Sequence, residues 1–250
     1  IRDQLESGKI ALSKRYKAKK FIAYFQSYTN TYAPFDRLKA IYEEALSVED
    51  VVGLSIGTRP DCIDERILSL LSDYAETRLV WIEYGLQSAN DETLKRINRG
   101  HDFACFEKAV KMTKGLGISI CDHAILGLPG ETKNDMLHTA RELAGLEIDG
   151  VKLHLLYVVE NTALEELYKT GRYRCLSREE YVDLVCDFLE ILPPGTVVQR
   201  LTGDPHPEEL VAPEWALEKT KNLSMIRNSL EARDTWQGKL YSPPNKETEQ

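Results

Sequence analysis

Short apolar runs alternate with amphipathic stretches along most of the chain. The runs are rich in β-branched and aromatic residues, which is typical of strands that are buried in a sheet. The stretches between them place apolar residues three or four positions apart, which is typical of helices with one buried face. Strands are therefore predicted at 20–26, 51–57, 79–85, 118–125, 151–157 and 196–200, and helices at 36–46, after the cap residue Asp64, and at 90–98, 102–115, 133–146, 178–191 and 214–232.

The spacing of these elements predicts an α/β fold. Each strand with its following helix takes about 30 to 40 residues, which is the length of a right-handed crossover between parallel strands. The chain contains neither GxGxxG after a strand nor GxxxxGKS or GxxxxGKT, so the glycine-rich nucleotide loops are absent. Polar residues follow nearly every strand, as expected where barrel strands share one site at their carboxyl ends. We therefore predict a partial (β/α) TIM-like barrel of parallel strands.

Composition fits one large domain. Of the 250 residues, 42% are hydrophobic and 29% are charged, which provides enough apolar side chains for one sizeable core. We expect the partial barrel at 1–215, a C-terminal helix at 216–240 and a loose tail at 241–250. No stretch has the apolar length of a membrane span and the N-terminus has no signal segment, so we expect a cytoplasmic protein without membrane contact.

Charged residues and cysteines limit the classes of partner. A formal net charge of −8 argues against a surface that coats nucleic acid broadly. Five cations nevertheless surround a tyrosine within residues 14–20, which indicates either a contact with RNA phosphates or a solvated helix end. The five cysteines are odd in number, and none is spaced like a set of metal ligands. Reduced thiols, and no metal site in this chain, are therefore predicted.

Side-chain parity on two strands places polar groups in the barrel interior. Glu83 and Gln87 alternate with apolar neighbours, so they share the face that points into the lumen. A buried carboxylate requires a partner, so Glu83 is expected in an internal salt bridge or against a ligand. His123 lies on the next strand, where a single histidine is either a hydrogen-bonded core residue or a functional one.

Six motifs follow one another along the chain: 24–32 (YFQSYTNTY), 56–61 (IGTRPD), 83–88 (EYGLQS), 98–103 (NRGHDF), 124–131 (AILGLPGE) and 152–154 (KLH). Together they resemble the radical S-adenosylmethionine (SAM) superfamily over residues 1–215. The subfamily they resemble is called YhcC-like or YtqA-like. It is related to the oxygen-independent coproporphyrinogen oxidases and to the Elongator catalytic subunit, which acts on the wobble uridine of tRNA.

The resemblance implies an enzyme with two cofactors, SAM and a [4Fe–4S] cluster. In this family a reduced cluster cleaves SAM to a 5′-deoxyadenosyl radical, which abstracts a hydrogen atom from the substrate. An electron donor is then a required partner. The CxxxCxxC-type cluster loop of the family is absent from the 250 residues. The first strand and the cluster ligands are therefore expected upstream of Ile1, and the chain by itself is expected to be inactive.

The resemblance also implies roles for individual residues. Gln87 stands where relatives hold the SAM ribose, and Arg99 stands where they bind the SAM carboxylate. His123 occupies the position of a ribose-contacting aspartate. The remaining cofactor candidates are Ser27 and Thr29 toward the methionyl amine and Gly127 and Val158 beside the adenine; the substrate candidates are Arg59, Glu83 and His154. The catalytic residues stay unassigned.

The substrate is open at this stage. The resemblance suggests a tRNA wobble-uridine derivative, bound in part by the basic run, which we define as Lys14, Arg15, Lys17, Lys19 and Lys20. Two other classes of protein stay as alternatives. One is a metal-dependent barrel hydrolase that uses His123, His154 and the loop at 204–208. The other is a non-catalytic barrel module that has lost its cluster.

Overall fold

The computed structural model describes residues 1–243 and confirms the alternation of strands and helices. Residues 244–250, which belong to the predicted tail, lie outside the described residues. The strands are β1 Phe21–Phe25, β2 Val51–Thr58, β3 Leu79–Gln87, β4 Ser119–Leu126, β5 Gly150–Leu155, β6 Val158–Val159, β7 Val197–Arg200 and β8 Leu210–Ala212. The helices are α1 Arg2–Tyr16, α2 Phe35–Leu46, α3 Glu65–Ala75, α4 Asp91–Arg96, α5 Phe103–Thr113, α6 Lys133–Gly145, α7 Ala163–Lys169, α8 Arg178–Ile191 and α9 Lys219–Ala232.

Six strands form one sheet in the order β1-β2-β3-β4-β5-β7. The pairs β1–β2, β2–β3 and β5–β7 are parallel, as the crossover lengths predicted. The short strands β6 and β8 pair antiparallel in a second, two-stranded sheet. Within the described residues β1 and β7 have one strand neighbour each, so the sheet is not closed by hydrogen bonds. The sequence pattern did not predict α1, because none of its side chains is buried.

The chain divides into two compact units. The first unit consists of Ile1–Leu86 and Ala104–Cys121, and the second of Gln87–Phe103 and the chain from Asp122 onward. In the first unit, β2 is buried along nearly its whole length and pairs closely with β3. A Cβ atom on Gly53 would lie 2.1 Å from the carbonyl oxygen of Leu79, so only glycine allows this pairing. Asp64 accepts a hydrogen bond from the amide of Ile67 and caps α3, as predicted.

In the second unit, two helices begin at capping boxes and bury their apolar faces. Thr132 and Asp135 cap α6 reciprocally, and Ser177 and Glu180 do the same for α8. Each box satisfies two backbone amides that the helix itself leaves without partners. Across residues 1–243, none of the helices combines the length and the apolar character needed to cross a bilayer.

Candidate functional site

The loop after β3 begins with a strained residue. Gln87 is half-buried and has a left-handed backbone with a φ angle of 77°. For a residue with a Cβ atom this conformation costs about 1–2 kcal/mol. Side-chain contacts to the next two residues fix the loop: Ser88 donates to the carboxylate of Glu131, and the amide of Ala89 donates to Oγ1 of Thr139 at 2.9 Å. The loop is therefore held in place by residues that come after β4.

The loop after β4 is held from the opposite side. Nη1 of Arg96, at the end of α4, donates to the carbonyl oxygen of Pro129 at 2.6 Å. Gly130 has a φ angle of 81°, and a Cβ atom there would lie 1.9 Å from the same Nη1. The guanidinium of Arg96 therefore occupies the space that a side chain at position 130 would need. The backbone conformation at position 130 favours glycine, whereas the contact would require only that the flexible end of Arg96 moves.

The backbone conformation at Gly127 also favours glycine. It is buried with a φ angle of 94°, and its carbonyl oxygen accepts from the hydroxyl of Tyr173 at 2.9 Å. A Cβ atom would lie 3.2 Å from the side chain of Leu176. A role in cofactor binding can only involve its backbone atoms. Val158 could likewise offer only its backbone atoms to a cofactor, because its side chain packs into a small core with Tyr173 and Ala212.

Arg99 lies in the tight turn that ends α4. Its amide donates to the carbonyl oxygen of Leu94 at 2.9 Å, and the flanking residues Asn98 and Gly100 have φ angles of 54° and 80°. The side chain is half-buried beside a surface cavity of about 420 Å³. Asp91 and Asp102 line the same cavity, so Arg99 lies at a concave surface that also carries acidic residues.

The two candidate histidines are neighbours. The rings of His123 on β4 and His154 on β5 stack with their centroids 5.1 Å apart and their planes 30° apart. Nowhere in residues 1–243 do three or more histidine, cysteine, aspartate or glutamate side chains form a group that could hold a metal ion.

In the first unit, Glu83 is fully buried with partners from two other strands. Its carboxylate accepts from the hydroxyl of Tyr24 on β1 at 3.0 Å and from the hydroxyl of Ser55 on β2. These contacts meet the requirement for a partner that its burial imposed. Arg59 forms a bidentate pair with Asp61, at 2.8 and 2.6 Å, and this pairing raises the pKa of the guanidinium.

The loop after β1 carries Ser27, which is exposed, and Thr29, which is half-buried. Sequence reasoning did not single out the residue that anchors this loop. Nδ2 of Asn30 donates to the carbonyl oxygens of Phe25 and Gly57, each at 2.9 Å. One asparagine thus joins the ends of β1 and β2. An asparagine shortly beyond a polar strand end was the available signal.

The cysteines do not form a cluster site. Cys62 and Cys105 are half-buried, Cys121, Cys175 and Cys186 are buried, and none of the five takes part in a disulfide. Burial raises the pKa of Cys62, Cys175 and Cys186, which disfavours the thiolate that an iron ligand requires. The described residues therefore do not fit a [4Fe–4S] cluster. The amide of Gln87 and the guanidinium of Arg99 do match the polar groups of SAM.

Comparison with known proteins identifies the family. The profile of the radical SAM superfamily matches residues 5–143, and the profile of the radical SAM C-terminal domain matches residues 148–232. Protein MJ0486 of Methanocaldococcus jannaschii is 45% identical over 243 residues, which cover 96% of this chain and 74% of that protein. The chain belongs to the radical SAM superfamily.

A second relative supports the subfamily that the motifs indicated. Protein YtqA of Bacillus subtilis is 40% identical over 238 residues, which cover 95% of this chain and 74% of YtqA. Among solved structures, the archaeal Methanocaldococcus infernus Elp3 with an N-terminal deletion aligns with a TM-score of 0.76 at 19% identity. That alignment covers 92% of this chain and 58% of the archaeal one. The predicted fold class, an incomplete parallel α/β barrel of the radical SAM type, is confirmed.

The carboxyl group of Glu131 ties the two loops of this radical SAM chain together, and it gives a prediction. Burial raises its pKa, although hydrogen bonds from Ser88 and Thr93 act in the opposite direction. The folded state therefore binds the proton more tightly than the unfolded state. Stability should decrease as the pH rises from the ordinary value of 4.5 through the raised pKa.

Replacing Glu131 by glutamine removes this titration and keeps an oxygen that accepts from Ser88. We expect the free energy of unfolding to depend less on pH above 4.5 and to be no lower than wild type at about pH 7. Urea unfolding at a series of pH values measures both quantities. Glu166→Gln, at a surface position on α7, is the control. An unchanged pH dependence in Glu131→Gln would contradict the prediction.

Proposed function

We propose that this chain carries the SAM-binding loops of a radical SAM enzyme that modifies tRNA. The observation that supports this most strongly is the strained backbone at Gln87, which contacts of Ser88 and Ala89 hold at the end of β3. Strained residues that the surrounding structure holds in place cluster at ligand sites. When bound with a reduced cluster, SAM supplies the radical that abstracts a substrate hydrogen.

Two side chains of the second unit are proposed to bind SAM directly. The amide of Gln87 both donates and accepts, which suits the vicinal hydroxyls of the ribose. The guanidinium of Arg99 pairs with the carboxylate. His123 is proposed as a further ribose contact. Gly127 and Val158 would contribute backbone atoms, since one has no side chain and the other buries it in the core.

In the first unit, the loop residues Ser27 and Thr29 are proposed to face the methionyl amine. The substrate candidates are already engaged within their own units. The guanidinium of Arg59 pairs with Asp61. The carboxylate of Glu83 accepts hydrogen bonds from hydroxyl groups, and the ring of His154 stacks on that of His123. We propose that each of these three residues contacts the substrate in the enzyme.

A tRNA substrate is supported by the basic run and by the motif resemblance to the Elongator catalytic subunit. All five cations of the basic run are exposed. Lys20 pairs with Asp50 at 2.8 Å, and the guanidinium of Arg15 lies over the ring of Tyr16. Lys14, Lys17 and Lys19 form no ion pair with any residue in 1–243. Exposed cations without internal partners are available to neutralise phosphates. Five cysteines outside any disulfide fit the cytoplasmic location expected for such an enzyme.

Changing Lys14, Arg15, Lys17 and Lys19 together to glutamine tests this proposal. Each phosphate contact that is lost should flatten the salt dependence of log K by roughly 0.7 to 0.9, so the slope should fall by up to about three. Binding of unmodified tRNA to the anaerobically reconstituted full-length protein is measured across a salt series. SAM cleavage without RNA should stay at the wild-type rate, since none of these residues is assigned to the cofactor.

The matched control changes four exposed, ion-paired lysines to glutamine and so alters the net charge equally. These are Lys39, Lys111, Lys169 and Lys221. The control should keep the wild-type slope. A full-length protein that cleaves SAM but shows no salt-sensitive tRNA binding would instead favour a small-molecule substrate.

A further inference from the structure

We propose that Tyr28 and Tyr32, on the loop after β1, form a stacking surface for unpaired bases of RNA. The inference rests on the proposed function, because it assigns a base-binding surface to the same tRNA substrate. It concerns the first unit only, and it goes beyond the phosphate contacts of the basic run. Tyr28 lies between Ser27 and Thr29, which are proposed to face the methionyl amine, so SAM binding is measured beside RNA binding.

The two rings are the most exposed large apolar side chains among the described residues. Tyr28 is 98% exposed and Tyr32 is 81% exposed. Tyr28 also has a left-handed backbone with a φ angle of 64°. A bulky residue rarely adopts this conformation, because it costs about 1–2 kcal/mol for a residue with a Cβ atom. The loop accepts this strain without packing the ring against any part of the first unit.

The residues between the two tyrosines are fixed to the sheet. Asn30 donates to the carbonyl oxygens at the ends of β1 and β2 and accepts at its own carbonyl from the hydroxyl of Tyr42 at 2.6 Å. The hydroxyl of Thr31, a buried residue, lies 2.6 Å from that of Thr58 and donates to the carbonyl oxygen of Cys62. A rigid segment therefore presents the rings, so little entropy is lost when a ligand binds to them.

The surroundings favour a nucleic acid. Exposed aromatic rings beside exposed cations bind single-stranded nucleic acid, because every base has a face that stacks and every nucleotide carries a phosphate. The cations Lys17 and Lys19 precede β1, whereas the tyrosines follow it. The strand between them spans on the order of 17 Å, so an RNA stem on the basic run could extend its unpaired loop to the rings.

Space for a base exists beside the second tyrosine. A cavity of about 530 Å³ opens next to Tyr32 and is lined by Thr31, Pro34, Asp61 and Cys62, among others. Its polar atoms could meet the edge of a base while the ring of Tyr32 meets the face. Tyr28 would stack on a neighbouring base from the solvent side.

The test compares the double variant Tyr28→Asn, Tyr32→Ser with Tyr28→Phe, Tyr32→Phe. Asparagine tolerates the left-handed backbone, so the first variant removes the rings and keeps the loop conformation. The probes are an unmodified anticodon stem-loop RNA and a fully paired RNA duplex of the same length. Tyr168→Ser, at a half-exposed tyrosine on α7, is the control.

We expect the ring-free variant of the full-length protein to bind the stem-loop about tenfold more weakly for each stacked base. Its affinity for the duplex and its salt slope should match wild type, because no charge is removed. The phenylalanine variant and Tyr168→Ser should bind like wild type. Weaker binding of the phenylalanine variant would overturn stacking, since phenylalanine keeps the ring.

Wild-type stem-loop affinity in the ring-free variant would overturn the inference but leave the proposed function intact, provided that the variant of the basic run still loses tRNA binding. A loss of SAM binding together with RNA binding would also overturn it, because the rings would then serve the cofactor loop. Failure of the proposed function has a different signature, namely no RNA binding by the wild-type protein.

Discussion

Replacing Arg99 by alanine should weaken SAM binding ten- to a hundredfold. The turn after α4 holds this side chain half-buried at a concave surface. If its guanidinium pairs with the methionyl carboxylate, the substitution removes a charge-assisted hydrogen bond, which contributes about 1.5–3 kcal/mol. Calorimetric titration of SAM into the anaerobically reconstituted full-length protein measures the change.

Two controls identify the ligand group that Arg99 contacts. Arg99→Lys keeps the charge but loses the planar fork, so its affinity should lie between those of wild type and Arg99→Ala. Decarboxylated SAM lacks the proposed partner. Wild type should bind it more weakly than SAM, and the ratio of the two affinities should be about tenfold smaller in Arg99→Ala than in wild type. An equal ratio in both proteins would show that Arg99 does not hold the carboxylate.

Replacing Gly130 by alanine should lower the free energy of unfolding by about 2 kcal/mol. The φ angle of 81° strains any residue with a Cβ atom, and the new atom would lie 1.9 Å from Nη1 of Arg96. The long side chain of Arg96 can move, but its hydrogen bond to Pro129 is then lost. For a chain of this size, the melting temperature should fall by roughly 4–8 °C.

A matched glycine and a double mutant separate the two causes. At Gly145, the last residue of α6, an added Cβ atom would meet no other atom within 4 Å. Gly145→Ala should therefore stabilise the protein by about 0.4–1 kcal/mol. In an Arg96→Ala background, Gly130→Ala should cost only its backbone strain. An equal cost in both backgrounds would show that Arg96 does not fill the space above Gly130.

The hydrophobic pattern predicted most strands and helices correctly, because the spacing of apolar residues clearly distinguished the two. Strand β2 is apolar almost throughout, and Asp64 marks the start of α3 by a side-chain cap. Helix α1 was not predicted, because it buries none of its residues and so carries no apolar stripe. The short pair β6–β8 was not predicted either, since strands of two and three residues carry no measurable period.

The candidate site was predicted unevenly. Motif resemblance led to Gln87 and Arg99, which lie on a strained turn and on a helix-ending turn. No local signal pointed to the partners that hold these loops. Ser88 and Glu131 are 43 positions apart, and Arg96 and Pro129 are 33 positions apart. Contacts of this separation depend on how helices and loops pack, and no local pattern encodes them.

Local sequence therefore determined the class of fold, the order of its elements and, through short motifs, the family. These properties follow from hydrophobic period, turn chemistry and capping, which act over a few neighbouring residues. Tertiary structure alone decided which polar groups have partners. It showed Glu83 bound by hydroxyl groups, His123 stacked on His154 and Gly130 confined by Arg96. Burial and hydrogen bonding are properties of packed neighbours, and these neighbours come from distant parts of the chain.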